Sequence, residues 1–263
     1  MTLGVRVMIF FLIVLCATRP ISSASATVPV RFTEGLTRGF LLVRAQDGKL
    51  IGHGDLIQVV HGHRVESQMV LRFRDGSIHD ERVAFTQDGV FALLSYHMVQ
   101  RGPSFPEHLD ALFDVRDGRY SVTSGTGNSE KVATGHLTLP ADVSNGLVIP
   151  LLKNLPPGTG RTVHVVAFTP KPRLVELEML PSGQRPVQVG ELQRPAERYV
   201  LKPRLGSVMG FVAKLLGRLP ADTECLILNA DVPAFVRCDG ALFLGGPVWR
   251  IEVTSPADRA GSR

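Results

Sequence analysis

From residue 38 onward, apolar and polar positions alternate with a period of two, and short turns interrupt the alternation. Asp-Gly recurs at 47–48, 75–76, 88–89, 117–118 and 239–240, mostly between apolar runs. This dipeptide favours tight hairpins, because primed turns need positive φ at their central residues. In RVESQMVLRF (64–73), Val65, Met69, Leu71 and Phe73 share one face, and Glu66, Gln68 and Arg72 share the other. VFALLSYHMV (90–99) carries apolar groups in both phases, which predicts a strand covered on two sides. The pattern is that of an antiparallel β-meander.

The middle of the chain is less regular. SVTSGTGNSEK (121–131) reads as a polar loop with nothing to pack. A short second helix is expected over 144–152, with Pro150 as an interruption. Strands resume at RTVHVVAF (161–168) and RLVELEML (173–180), the latter closed by a turn at Pro181-Ser182-Gly183. The main helix is expected at 207–219, where Val208, Phe211, Val212, Leu215 and Leu219 recur at helical spacing. Ser207 supplies an N-cap, and Pro220 follows the end. Strands return at 225–228, 234–238 and 247–253, and 256–263 reads as a flexible tail. The fold class is therefore mainly β: a curved antiparallel meander or half-barrel, with one main amphipathic helix and a second short one.

The start of the chain reads differently. Arg6, the apolar run 7–17 and the small residues Ala24-Ser25-Ala26 form the pattern of a secretory leader over 1–26. The apolar run is shorter than the ~20 residues a membrane span needs, so no integral span is expected after cleavage. Leu15 stands before Cys16 where a lipobox has a small residue. Losing residues 1–26 removes Arg6 and Arg19 and no acid, so the formal charge falls from +5 to +3. Nothing in so mild an excess, without a basic stripe, indicates nucleic acid. Residues 27–255 are expected to form a single β-rich domain, periplasmic or secreted.

Export gives the cysteines a meaning. An oxidising compartment favours a disulfide between Cys225 and Cys238. An antiparallel pairing of the two places Leu226 opposite Arg237, Ile227 opposite Val236 and Leu228 opposite Phe235. A closed loop of this size stabilises by about 3 kcal/mol in the chain-entropy view. A redox centre calls for Cys-x-x-Cys at a helix start, and a zinc site for more ligands nearby.

Candidate chemistry is sparse. LPPGTGRT (155–162) resembles a phosphate loop, but Leu155 replaces its first glycine, Arg161 its lysine, and a strand follows where a helix is needed. His61-Gly62-His63 is a potential metal-chelating pair of the cupin kind, with Glu66 one residue too early; the plainer reading is a turn with two solvated histidines. His79-Asp80-Glu81 places acid beside base, but neighbours on a strand face opposite ways, and a solvated strand is expected. His97 and His164 stand among apolar residues and read as core histidines. There is no Gly-x-Ser-x-Gly elbow. The 207–219 stripe fits packing against a sheet better than a membrane surface, since only Lys214 and Arg218 mark its polar face.

The element order, together with RFRDGSIHDERVAFTQDG (72–89) and LGGPVWRIEV (244–253), resembles periplasmic half-barrel proteins, among them the lipoprotein-localisation carriers and related uncharacterised periplasmic domains. The resemblance covers most of 28–254 and transfers no binding residue. It implies a non-enzymatic carrier without cofactor or metal, holding a lipid or acyl chain between sheet and helix. Met69, Leu71, Phe73, Phe91 and Leu93 would form the wall, and Val208, Phe211, Val212 and Leu215 the lid. If the helix packs tightly, the same residues are only a core, and the chain is a structural envelope domain with a protein partner. A cupin-like enzyme using His61 and His63 is the third reading. Intact-mass measurement of exported protein should give a chain starting at Thr27; an unshortened chain would refute the leader.

Overall fold

The structure is a computed structural model describing residues 27–127, 129–168, 171–204 and 222–255. Eight strands come first: β1 (Thr37–Arg44), β2 (Leu50–His61), β3 (Arg64–Phe73), β4 (Ile78–Asp88), β5 (Val90–Arg101), β6 (His108–Asp114), β7 (Arg119–Thr126) and β8 (Ser129–His136). One short helix, α1 (Val148–Asn154), follows. Six more strands follow among the described residues: β9 (Arg161–Ala167), β10 (Arg173–Val189), β11 (Leu192–Arg204), β12 (Thr223–Leu228), β13 (Ala234–Gly240) and β14 (Trp249–Thr254). These 14 strands belong to one sheet, ordered β8 to β1 and then β14 to β9. Two meanders are thus joined where β1 pairs with β14, and every named pairing is antiparallel. The fold is mainly β and half-barrel in kind, with β8 and β9 as its open edges. The expected main helix at 207–219 lies outside the described residues.

Four of the five Asp-Gly pairs are hairpin turns, with Gly48, Gly76, Gly89 and Gly118 at positive φ. The fifth is not: Asp239-Gly240 ends β13, where a side chain on Gly240 would collide with Thr223 across the ladder. The sheet also corrects four other expectations. The polar stretch 121–131 is the β7–β8 hairpin, because an edge needs backbone partners more than apolar side chains. Pro181-Ser182-Gly183 does not end a strand but forms an irregularity within β10, whose pairing resumes at Gln184. Leu226 does face Arg237, but a register shift then sets Ile227 against Phe235 and Leu228 against Ala234. Cys225 and Cys238 are directly paired and disulfide-bonded.

The fourth correction concerns β5. Its two apolar phases do not mean two covered faces. Ala84 pairs with Ser95 but Phe85 with Leu93, so Leu94 is an extra residue and the alternation slips by one. Phe91 and Leu93 before the bulge, and Tyr96 and Met98 after it, all turn inward and are buried. Such a bulge sharpens the local bend of the sheet.

Inward side chains form two clusters. The larger surrounds α1, whose Leu151 and Leu152 pack with Val28, Phe85, Phe113, Met179 and Tyr199. The smaller lies toward the other end and joins Leu41, Val43, Leu71, Phe73, Phe105 and Trp249. Pro150 does not interrupt the helix, because it sits in the first turn, where its missing N–H has no partner to lose. Asn154 at the helix end accepts from the backbone N–H of Arg31 and of Phe32, both at 2.7 Å, and so ties down the segment 27–36. Glu34 on that segment accepts from Lys153 Nζ at 2.7 Å and from Gln58 Nε2 at 3.1 Å.

The approach to α1 also seals an edge. Val143 makes a parallel bridge to His164, and Asn145 stands in for a strand beside β9. Its Nδ2 donates to Val166 O at 2.9 Å, and Val166 N–H donates to its Oδ1 at 2.7 Å. Gly146 follows at positive φ against Val83, where any Cβ would collide. Asn145→Ala should leave two buried backbone groups unpaired and cost about 2–4 kcal/mol. Urea unfolding checks this, with Thr134→Ala on the bare edge β8 as a near-neutral control.

Candidate functional site

The residues expected to line a ligand wall are mostly closed off. Leu71 and Phe73 are packed among Phe105 and Trp249, with ring centroids of Phe73 and Trp249 4.9 Å apart. Phe91 and Leu93 belong to the α1 cluster. Met69 is partly buried beside the smaller cluster. Val208, Phe211, Val212 and Leu215 lie outside the described residues.

An open apolar surface exists on the other side of the same strands. Pairing registers place Ile57, Gln68, Arg82, His97 and Leu112 in one row across β2–β6. Val59, Glu66, Ala84, Ser95 and Asp114 form the adjacent row. Between them runs an outward groove of about 650 Å³. Ile57 and Val59 on β2 and Leu112 on β6 are exposed at its two sides. The bulge at Leu94 adjoins it. The polar residues along it are already paired: Arg64 with Glu66 at 3.0 Å, Arg82 with Asp80 at 3.1 Å and His97 with Asp110 at 2.9 Å. His97 is therefore an outward, aspartate-paired residue and not a core histidine. His164 is partly buried and pairs with the buried Asp142 at 2.8 Å.

His79-Asp80-Glu81 is not a solvated strand. Asp80 does face outward, where Gln68 and Arg82 donate to it. His79 is buried, and Glu81 turns to the interior between Met69 and Met98 on the flanking strands. Tyr96 Oη donates to Glu81 Oε1 at 2.6 Å, and the Tyr96 ring stacks against Phe113 and Phe168. Burial pushes the Glu81 carboxyl above its usual range, against the Tyr96 hydrogen bond. Burial, and then the Glu81 carboxylate, raise the Tyr96 phenol. His79 shares a 3.1 Å contact with Gln100 Nε2, which also donates to Leu242 O at 2.8 Å. Nδ1 of His79 is then the acceptor, and the ring proton sits on Nε2. Burial lowers the His79 pKa to about 4. Only the period-two pattern pointed to Glu81 and His79 as inward residues, and the polar triplet masked it.

His61 and His63 flank Gly62 in the β2–β3 turn, and both are exposed. Among the described residues no group of three His, Cys, Asp or Glu is placed to hold a metal. None of the described helices is long and apolar enough to cross a membrane. The chain matches no protein family and no curated protein. One solved structure is similar to it: a beta-barrel-like protein of a domain of unknown function (DUF1849) from Brucella abortus, at 8% identity and a TM-score of 0.41, spanning 84% of this chain and 98% of that one.

The interior histidine makes stability depend on pH. The folded pKa of about 4 lies below the ordinary histidine value of 6.5, so its contribution is complete above pH 6.5 and is lost as pH falls toward 4. The full loss is about 3 kcal/mol. Glu81, with its raised pKa, acts in the opposite sense and relieves the fold on acidification. His79→Gln should therefore flatten the decline in urea midpoint between neutral pH and pH ~4.5. An unchanged decline would show that His79 does not control it.

Proposed function

We propose that the protein is an exported, non-enzymatic binding module of the cell envelope that holds an apolar ligand, a lipid or acyl chain, in the outward groove of β2–β6. The exposed Ile57 and Val59 on one side of the groove and Leu112 on the other carry this reading. Exposed apolar side chains gain about 25 cal/mol per Å² when a ligand covers them. A groove of about 650 Å³ falls within the span usual for small-molecule sites, roughly 300–1,000 Å³. Because Arg64, Arg82 and His97 are each paired with a carboxylate, the groove suits a long chain with a polar end more than a compact anion. This moves the ligand from the concave face, expected from sequence, to the outer face of the same strands.

The structural-domain reading is favoured by one feature, the eight-residue edge β8, exposed on both faces along nearly its whole length. Lys131 on its inward side works against strand addition, as charges on sheet edges generally do.

Titration with a fluorescent fatty acid separates these cases. Ile57→Asp and Leu112→Asp should each weaken binding roughly tenfold or more, since a buried carboxylate replaces an apolar contact. Loss on Phe211→Asp with the two groove variants unchanged would return the ligand to the sheet-and-helix site. Absence of binding by the unaltered protein would favour the structural domain.

A further inference from the structure

The two ends of the sheet treat apolar residues in opposite ways. At the end away from α1, Phe105, Phe243 and Trp249 stack on one another, with centroid separations of 5.8 and 6.0 Å from Phe105. At the α1 end, large apolar side chains stand at the tips of turns instead. Leu36, just before β1, is 81% exposed, and Val232 in the β12–β13 loop is 65% exposed. Val189 and Leu192 flank the turn between β10 and β11 and are exposed as well. That hairpin outruns its neighbours: β9 pairs with it only as far as Met179, and β12 only as far as Ala196. The strand directions put all four side chains on one rim.

We propose that this rim is a lipid-docking surface, with Leu36, Val189, Leu192 and Val232 entering the interface of a bilayer. Apolar residues on loop tips, not on a sheet face, suit shallow insertion, because each tip can be buried without covering a broad flat area. Exposed arginines accompany them. Arg31, Arg38 and Arg194 form no ion pair with a described residue, and the exposed acids at this end are Asp88, Glu191 and Asp231. The three guanidinium groups can pair with lipid phosphates. Thr27, where the leader expected from the sequence joins, belongs to the same end, since Val28 and Pro29 are held at the start of β5. The rim is separate from the groove of β2–β6 and does not depend on that site being a ligand site.

Vesicle sedimentation tests the proposal with protein recovered after export and lacking residues 1–26, so that the apolar leader contributes nothing. The unaltered protein should sediment with vesicles of mixed phosphatidylglycerol and phosphatidylcholine, and less with phosphatidylcholine alone. The triple variant Leu36→Glu, Leu192→Glu, Val232→Glu should bind roughly tenfold more weakly or not at all, because three charges would have to enter the interface. Its fatty-acid affinity should be unchanged, which keeps the rim distinct from the groove. Should the triple variant fail to fold by circular dichroism, Leu36→Glu alone, at the most exposed position, decides in the same way. Equal sedimentation of variant and unaltered protein overturns the proposal. So does failure of the unaltered protein to bind either vesicle, an outcome that would leave the rim to a protein partner.

Discussion

A sheet that does not close leaves two strands each with one unpaired edge, and buried backbone groups cannot be left unpaired. The way this chain treats β9 determines much of the rest. Val143 bridges to His164, Asp142 holds the His164 ring, and the Asn145 amide substitutes for a strand at Val166. To reach that position, 137–147 must cross from the end of β8 to the far side of the sheet. The crossing leaves α1 against the inward face, where Leu151 and Leu152 become the centre of the larger cluster. From there Lys153 and Asn154 hold Glu34 and the backbone of Arg31 and Phe32. Sealing one edge thus places the helix, and the helix places the start of the domain. The β8 edge is treated differently: its residues are mostly polar or small, only Val132 is a large apolar one, and it is exposed to water along nearly its whole length.

The legible parts of the fold were those governed by local rules. Hairpins at 47–48, 75–76, 88–89 and 117–118 follow from the backbone demands of Asp-Gly, and Val65, Met69, Leu71 and Phe73 do turn inward together. What escaped the sequence depended on long-range pairing. Leu94 is one extra residue, invisible as such, yet it inverts the facing of everything after it in β5. The stretch 121–131 spans most of β7 and the start of the edge strand β8, with Val122 buried within it, and that placement is a property of the whole sheet. Pro181-Ser182-Gly183 has the composition of a turn, but β11 continues past it and keeps the strand paired. His97 has apolar neighbours in sequence, though its partner in space is Asp110.

The candidate site was less legible than the fold for a related reason. Ile57, Val59 and Leu112 are far apart in sequence, and each looks like an ordinary member of an alternating strand. Only the registers of β2 with β3 through β6 bring them to one depression. The inward residues were the natural choice for a wall because strand periodicity identifies them, but periodicity identifies a core equally well. Glu81 illustrates the limit: the pattern turns it inward, while its charge suggests water. Tyr96 reconciles the two by supplying a hydrogen bond inside.

The contrast between the two faces bears on where a ligand can go without cost to the fold. On the inward face, Phe235 packs against both clusters, so the space between them is already bridged. A ligand there would have to displace close-packed side chains, and opening a cavity the size of one Leu side chain costs about 2–5 kcal/mol. On the outward face the β4–β5 ladder stays paired on both sides of Leu94, Ala84 with Ser95 and Phe85 with Leu93, and such a bulge bends a sheet locally. The exposed Ile57, Val59 and Leu112 contribute little to core packing, so covering them takes nothing from stability. Substitutions there should therefore alter binding while leaving the unfolding midpoint nearly unchanged, whereas Phe73→Ala, deep in the smaller cluster, should cost about 3–5 kcal/mol whether or not a ligand is bound.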